Sequence, residues 1–202
     1  MREEIAFHCP VANRCGGCQL TGMTYREQLQ RKQRWVEGLL KPFCPVSPIL
    51  GMEEPRHYRN KVHAVLSVDK RGLPVSGVYA QGTHRVVPVQ DCLIEDRRAS
   101  RIINDITLML PRYKLRIYNE YTHRGFLRHI LIRTGWQTGQ ILVVLVATAP
   151  EFPGKKAFVA ELLERHPEIT SLVLNVNDRQ TSMVLGRKDI PLYGSGWMED
   201  SL

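Results

Sequence analysis

Cys9, Cys15 and Cys18 lie in one short run, Cys9-Pro10-Val11-Ala12-Asn13-Arg14-Cys15-Gly16-Gly17-Cys18. A fourth thiol, Cys92, follows far downstream in Val89-Gln90-Asp91-Cys92. Three close thiols and one remote thiol can give a metal four soft ligands and tie two distant parts of the chain together. An iron–sulfur cluster is the first chemistry this suggests, because a glycine-rich loop can wrap closely around a thiolate-bound cluster. Gly16 and Gly17 remove side chains where the backbone must turn. A four-cysteine zinc site uses the same residues, and the spacing alone leaves it open. A disulfide set does not suit a chain that reads as cytoplasmic. Four available cysteines also argue against a radical enzyme that keeps one iron unligated. Cys44, between Phe43 and Pro45, reads as a buried thiol with no metal role.

The formal charge of +8 and the isoelectric point near 9.4 suit a polyanionic partner, with nucleic acid the first choice. A basic chain kept soluble by its charge is the plain alternative. Tyr58-Arg59-Asn60-Lys61 joins a stacking ring, a forked phosphate donor, an amide and a point charge. On a regular strand Arg59 and Lys61 face one way, and Tyr58 and Asn60 the other. Arg59 and Lys61 are therefore the expected RNA contacts, with Tyr58, His84, Arg128 and Arg133 behind them. A solvated sheet face is the competing reading for each. Lys32 and Arg34 read as solvated charges. Arg14 either offsets the charge of a cluster or faces water. His63, on an apolar strand face, reads as a hydrogen-bonded core residue. Glu3-Glu4 and Glu53-Glu54 read as solvated charges, and no Ser-His-Asp or metalloprotease spacing occurs.

No apolar run reaches the roughly 18–20 residues that span a bilayer. The first five residues lack the apolar stretch of a signal peptide. The expected protein is a cytoplasmic monomer with no membrane partner.

These groups need a frame. Residues 1–23 read as a loop. Thr24 and Glu27 form a capping box opening a helix over residues 24–40, with Tyr25, Leu29, Val36 and Leu40 on one stripe. Pro42, Pro45 and Pro48 end it in an extended connector. Val62, Ala64, Leu66 and Val68 alternate as a strand, and residues 69–72 turn into strands over 75–79 and 84–89. A second helix is predicted over 96–110, a hairpin over 127–133 and 141–148, and a third helix over 154–165. Strands over 171–176 and 181–185 follow, joined by a turn at 177–180. The fold class predicted is α+β: a largely antiparallel sheet, about three helices and an N-terminal cysteine loop.

Cys-x5-Cys-Gly-Gly-Cys-Gln-Leu, the helix Tyr25-Arg26-Glu27-Gln28-Leu29-x-x-Lys32, Tyr58-Arg59-Asn60-Lys61 and the stretch His84 to Cys92 together resemble the RNA uracil-5-methyltransferases. Leu127-Arg128-His129-Ile130 with Arg133, Asn175-Val176-Asn177 and Leu185-Gly186 agree. The pattern is most similar to the iron–sulfur subgroup acting on 23S ribosomal RNA. The resemblance implies that Cys9, Cys15, Cys18 and Cys92 ligate a [4Fe-4S] cluster that serves folding and RNA binding. It also implies S-adenosylmethionine as methyl donor of the full-length enzyme. The family's donor-binding Rossmann-like half, with its nucleophilic cysteine and acidic base, has no counterpart in these residues and would follow residue 202. Two regions are thus expected: residues 1–23 plus Cys92 as cluster region, and residues 24–202 as a central RNA-binding domain. By itself the chain is expected not to methylate RNA. A stand-alone RNA-binding module with zinc or a cluster, and an iron–sulfur redox protein, are the other readings.

Overall fold

The structure, a computed structural model, describes residues 8–201. The readings of residues 1–5 and of Glu3-Glu4 lie outside the described residues. The chain runs through α1 (Ala12–Cys15), α2 (Tyr25–Leu40), β1 (Lys61–Val68), β2 (Pro74–Tyr79), β3 (Val86–Pro88) and α3 (Arg97–Met109). It continues through β4 (Leu127–Thr134), β5 (Ile141–Ala147), α4 (Lys155–Arg165), β6 (Ser171–Val176) and β7 (Lys188–Tyr193). The seven strands form one sheet in the order β3-β2-β1-β4-β5-β6-β7. Every neighbouring pair is antiparallel except β5 and β6, which α4 joins as a crossover. The α+β class holds; α1, a single turn inside the cysteine loop, is the added helix.

One sheet face carries the core. Val62, Ala64 and Leu66 from β1 meet Ile130 and Ile132 from β4, Val143 and Leu145 from β5, and Leu172 and Leu174 from β6. Ile102 and Ile106 from α3 and Phe158 and Leu162 from α4 close the layer. Each fully buried side chain of this size contributes roughly 1.5–3 kcal/mol through apolar burial. Asp96 caps α3 by accepting from Arg98 N at 2.8 Å, so the helix starts where its apolar face begins.

Helix α2 differs from expectation. Its capping box is present, with Thr24 and Glu27 bonded reciprocally. Its stripe, however, buries nothing in the core. The helix holds the extended connector instead. Ile49 N donates to Gln33 Oε1, and Met52 N to the Tyr25 hydroxyl, both at 2.7 Å. Cys44 is exposed rather than buried, because it follows α2 on this unpacked side.

The strand predicted over 181–185 is absent, and β7 takes its place at the sheet edge. The carbonyl of Thr181 accepts from Arg128, and those of Met183 and Val184 accept from Asn177. Those acceptors are therefore engaged by side chains, and Pro191 in β7 is tolerated on an edge strand.

His63 and His129 meet edge to face across β1 and β4, with ring centroids 4.9 Å apart. His63 Nε2 and His129 Nδ1 are buried without hydrogen-bond partners, so His63 is not the satisfied core residue expected. Burial, then the charges of His63 and Arg128, lower the His129 value from 6.5 to about 4, with Glu120 opposing. Burial also lowers His63. Between those two pH values the unfolded chain binds a proton that folded His129 refuses, so stability falls as pH drops from about 6.5 to about 4. The expected loss is about 3 kcal/mol. Urea titrations across this window should give a flatter profile for His129→Gln; parallel profiles would contradict the assignment.

Candidate functional site

The site begins with a pairing that lies outside the main strands. His57 N donates to Leu93 O at 2.9 Å, Arg59 N to Ile94 O at 2.8 Å, and Asp96 N to Arg59 O at 3.1 Å. Arg59 and Glu95 thus form a parallel bridge. The segment Tyr58-Arg59-Asn60 precedes β1 and runs beside the residues just after Cys92. The two sequence signals are structural neighbours.

Cys9, Cys18, Cys92, Tyr58, Arg59 and Lys32 all line one cavity of about 540 Å³. Lys32 is among them and is exposed, in keeping with a solvated charge. Helix α1 turns the cysteine loop back on itself and ends at Gly16, whose φ of +68° is left-handed. A Cβ on Gly16 would stand 2.9 Å from Gln81 Oε1 and 3.0 Å from Gln81 Cβ, so only glycine fits there without displacement. A Cβ on Gly17 would stand 3.3 Å from Cys15 Sγ. Gly17 therefore leaves bare backbone beside the Cys15 sulfur.

The thiols sense one another. Burial raises the Cys18 value, then the negative charge that Cys15 and Cys9 would carry, while Arg59 opposes. Burial also raises Cys92, the N–H groups of Ile94 and Glu95 oppose, and Cys18 adds to the rise. Glu95 is raised by burial, with Arg59 opposing. Ionising these thiols together needs nearby positive charge, as a metal centre would supply. All five cysteines are free thiols. Among the described residues, no group of three His, Cys, Asp or Glu is gathered as a single metal ion would require.

Beyond the cavity the basic residues sort themselves. Lys61 lies directly opposite Arg133 across β1 and β4, and both are exposed. Like charges in that relation repel, so an anion between them is favourable. Arg97 Nε donates to His57 Nε2 at 3.1 Å, which adds a cation beside the Arg59 segment. Arg14 is exposed. His84 is exposed and pairs with Glu120 Oε2 at 3.0 Å. Arg128 is only 4% exposed. Its guanidinium donates to the carbonyls of Asn177, Arg179 and Thr181 and lies 4.5 Å from the Tyr118 ring centroid. That geometry occupies Arg128 within the fold and takes it out of reach of a phosphate. Sequence reasoning missed Glu95, His57 and Arg97; the spacing around Cys92 gave no sign of their pairing with residues 57–59.

No family profile matches the chain. An uncharacterized RNA methyltransferase of Bacillus cereus is 38% identical over 197 residues, covering 95% of this chain and 43% of that protein. One of Oceanobacillus iheyensis is 41% identical over 194 residues, covering 93% of this chain and 42% of that protein. The chain therefore spans less than half the length of these relatives. The solved Pyrococcus abyssi tRNA (uracil-54, C5)-methyltransferase, in complex with S-adenosyl-L-homocysteine, superposes with a TM-score of 0.68 at 17% identity. That match covers 98% of this chain and 45% of the other, and establishes a shared fold. Nearly all of this chain is thus homologous to part of proteins named RNA methyltransferases.

Proposed function

We propose that these residues form the cluster-holding, RNA-gripping part of an S-adenosylmethionine-dependent RNA (uracil-5-)-methyltransferase acting on 23S ribosomal RNA. One observation carries the proposal: Tyr58 and Arg59 line the same cavity as Cys9, Cys18 and Cys92. A metal centre there would brace the segment that meets RNA. The relatives' names support RNA methylation. The choice of 23S ribosomal RNA rests on the cysteine pattern and its resemblance.

In this reading Cys9, Cys15, Cys18 and Cys92 hold a [4Fe-4S] cluster. The supporting chemistry is a free-thiol donor set and a loop with no side chains at Gly16 and Gly17. The cluster supplies a rigid, charged brace when bound. Residues 8–23 and Cys92 form its holder, and the rest of the described chain forms the RNA-binding domain. Arg59, Lys61 and Arg133 contact phosphates, while Tyr58 offers a stacking ring. His84, exposed and paired with Glu120, is the remaining proposed RNA contact. Methyl transfer from S-adenosylmethionine belongs to the longer protein of which the relatives are examples.

Arg59→Ala is expected to weaken RNA binding several-fold at low salt. It should also lower the slope of log K against log salt by roughly 0.7, the value for one lost contact to a single strand. Anisotropy titrations of labelled RNA at several salt concentrations measure both. Equal affinity and equal slope would reject Arg59 as a phosphate contact.

A further inference from the structure

A second cavity shares no lining residue with the first. It has a volume of about 170 Å³ and lies between β1, β2, β4 and the segment around Tyr118–Tyr121. A cavity of roughly 150 Å³ accepts one benzene ring. This one is therefore the size of a single six-membered ring.

Its walls carry a fixed carboxylate. The Glu120 side chain pairs with His84 Nδ1 at 3.0 Å, and Tyr79 lines the same cavity. Burial, then Glu120, raises the Tyr79 value to about 12, so Tyr79 stays a neutral donor. An ionised carboxylate has about four acceptor sites. Glu120 is thus held by His84 and keeps acceptor capacity for a ligand. Its remaining charged surroundings are balanced: Arg128 stands under the Tyr118 ring, anchored to three backbone carbonyls.

The cavity also has an open stacking face. Tyr121 lines it and is 84% exposed. Its backbone is pinned, because Tyr121 N and Thr122 N both donate to Asn119 Oδ1 at 2.9 Å. Isolated exposed aromatics are ordinary. This one borders a ring-sized hole with an oriented acceptor on its wall, in a chain with net charge +8.

We infer that this cavity is a nucleobase subsite, taking one unstacked RNA base that carries an exocyclic amino group. Tyr121 stacks on the base, and Glu120 accepts from its amino N–H. The inference rests on the RNA reading above and names which base chemistry this face selects. Cytosine N4 donates to a carboxylate, whereas uracil presents an oxygen at that position, which a carboxylate repels. Cytosine also matches the single-ring volume. Stacking holds either base, so the carboxylate supplies the discrimination.

The test compares short labelled oligocytidylate and oligouridylate with the wild-type chain and with Glu120→Ala, Tyr121→Ala and Arg59→Ala. The Glu120 side chain is 36% exposed, so its truncation leaves the core intact. The wild type should bind oligocytidylate roughly fivefold to tenfold tighter. Glu120→Ala should erase that preference while holding oligouridylate affinity. Tyr121→Ala should weaken both oligomers, because stacking holds either base. Arg59→Ala should weaken both oligomers by the same factor and keep the preference. Equal affinity of the wild type for both, or a preference that survives Glu120→Ala, overturns the subsite and leaves the RNA reading standing. Binding to neither oligomer overturns the RNA reading and the subsite with it.

Discussion

Cys92→Ser is expected to abolish stable iron binding in protein prepared without oxygen, and to lower its solubility. Serine keeps the size of the side chain but replaces a soft thiolate with a poor iron ligand. The position is also the only contributor from outside the N-terminal loop among the four proposed ligands. Losing it would open the centre to water and detach the loop from the segment that pairs with Arg59. The hydrophobic core does not include Cys92, so the sheet should stay folded. Iron analysis and far-ultraviolet circular dichroism together separate loss of ligand from loss of fold. Unchanged iron content in the folded variant would remove Cys92 from the site.

Arg128→Met should cost roughly 3–5 kcal/mol of stability. Methionine retains the apolar stem but leaves the carbonyls of Asn177, Arg179 and Thr181 without their donor. Each buried unmet acceptor costs about 1–3 kcal/mol. Arg128 Nε is itself buried without a partner, which offsets part of the native gain. Arg128→Lys should rescue little, because one ammonium cannot reproduce the planar fork across three carbonyls. Urea denaturation measures both variants. A loss below about 1 kcal/mol for Arg128→Met would contradict this account.

These two residues mark what could and could not be read along the chain. The helix starting after Thr24 was legible because Thr24 and Glu27 are three residues apart and bond each other. Strand β1 was legible because Val62, Ala64 and Leu66 share the core face. Both signals are local. Residues 181–185 carried strand-like composition, yet their carbonyls are taken by Arg128 and Asn177, and the Arg128 contact spans more than fifty positions of sequence. Arg128 itself read as a surface cation because sequence gives charge but not burial.

The same contrast holds at the site. Cysteine spacing named four thiols, and the Tyr-Arg-Asn-Lys run named a basic segment. Their adjacency came only from the bridge between Arg59 and Glu95, a pairing with no sequence periodicity. The alternation argument separated Tyr58 from Arg59 on opposite strand faces. In fact β1 starts at Lys61, and both residues line the cysteine cavity. The second cavity escaped notice because its parts come from β1, β2, β4 and a turn, and each tyrosine alone looks ordinary.

The proposed polynuclear metal centre joins the cysteine loop to the Arg59 segment. Iron and acid-labile sulfide, assayed on this chain purified without oxygen, test it most directly. Both are expected in equal amount, about four of each per chain. Protein containing neither, or one zinc ion and no sulfide, would contradict it.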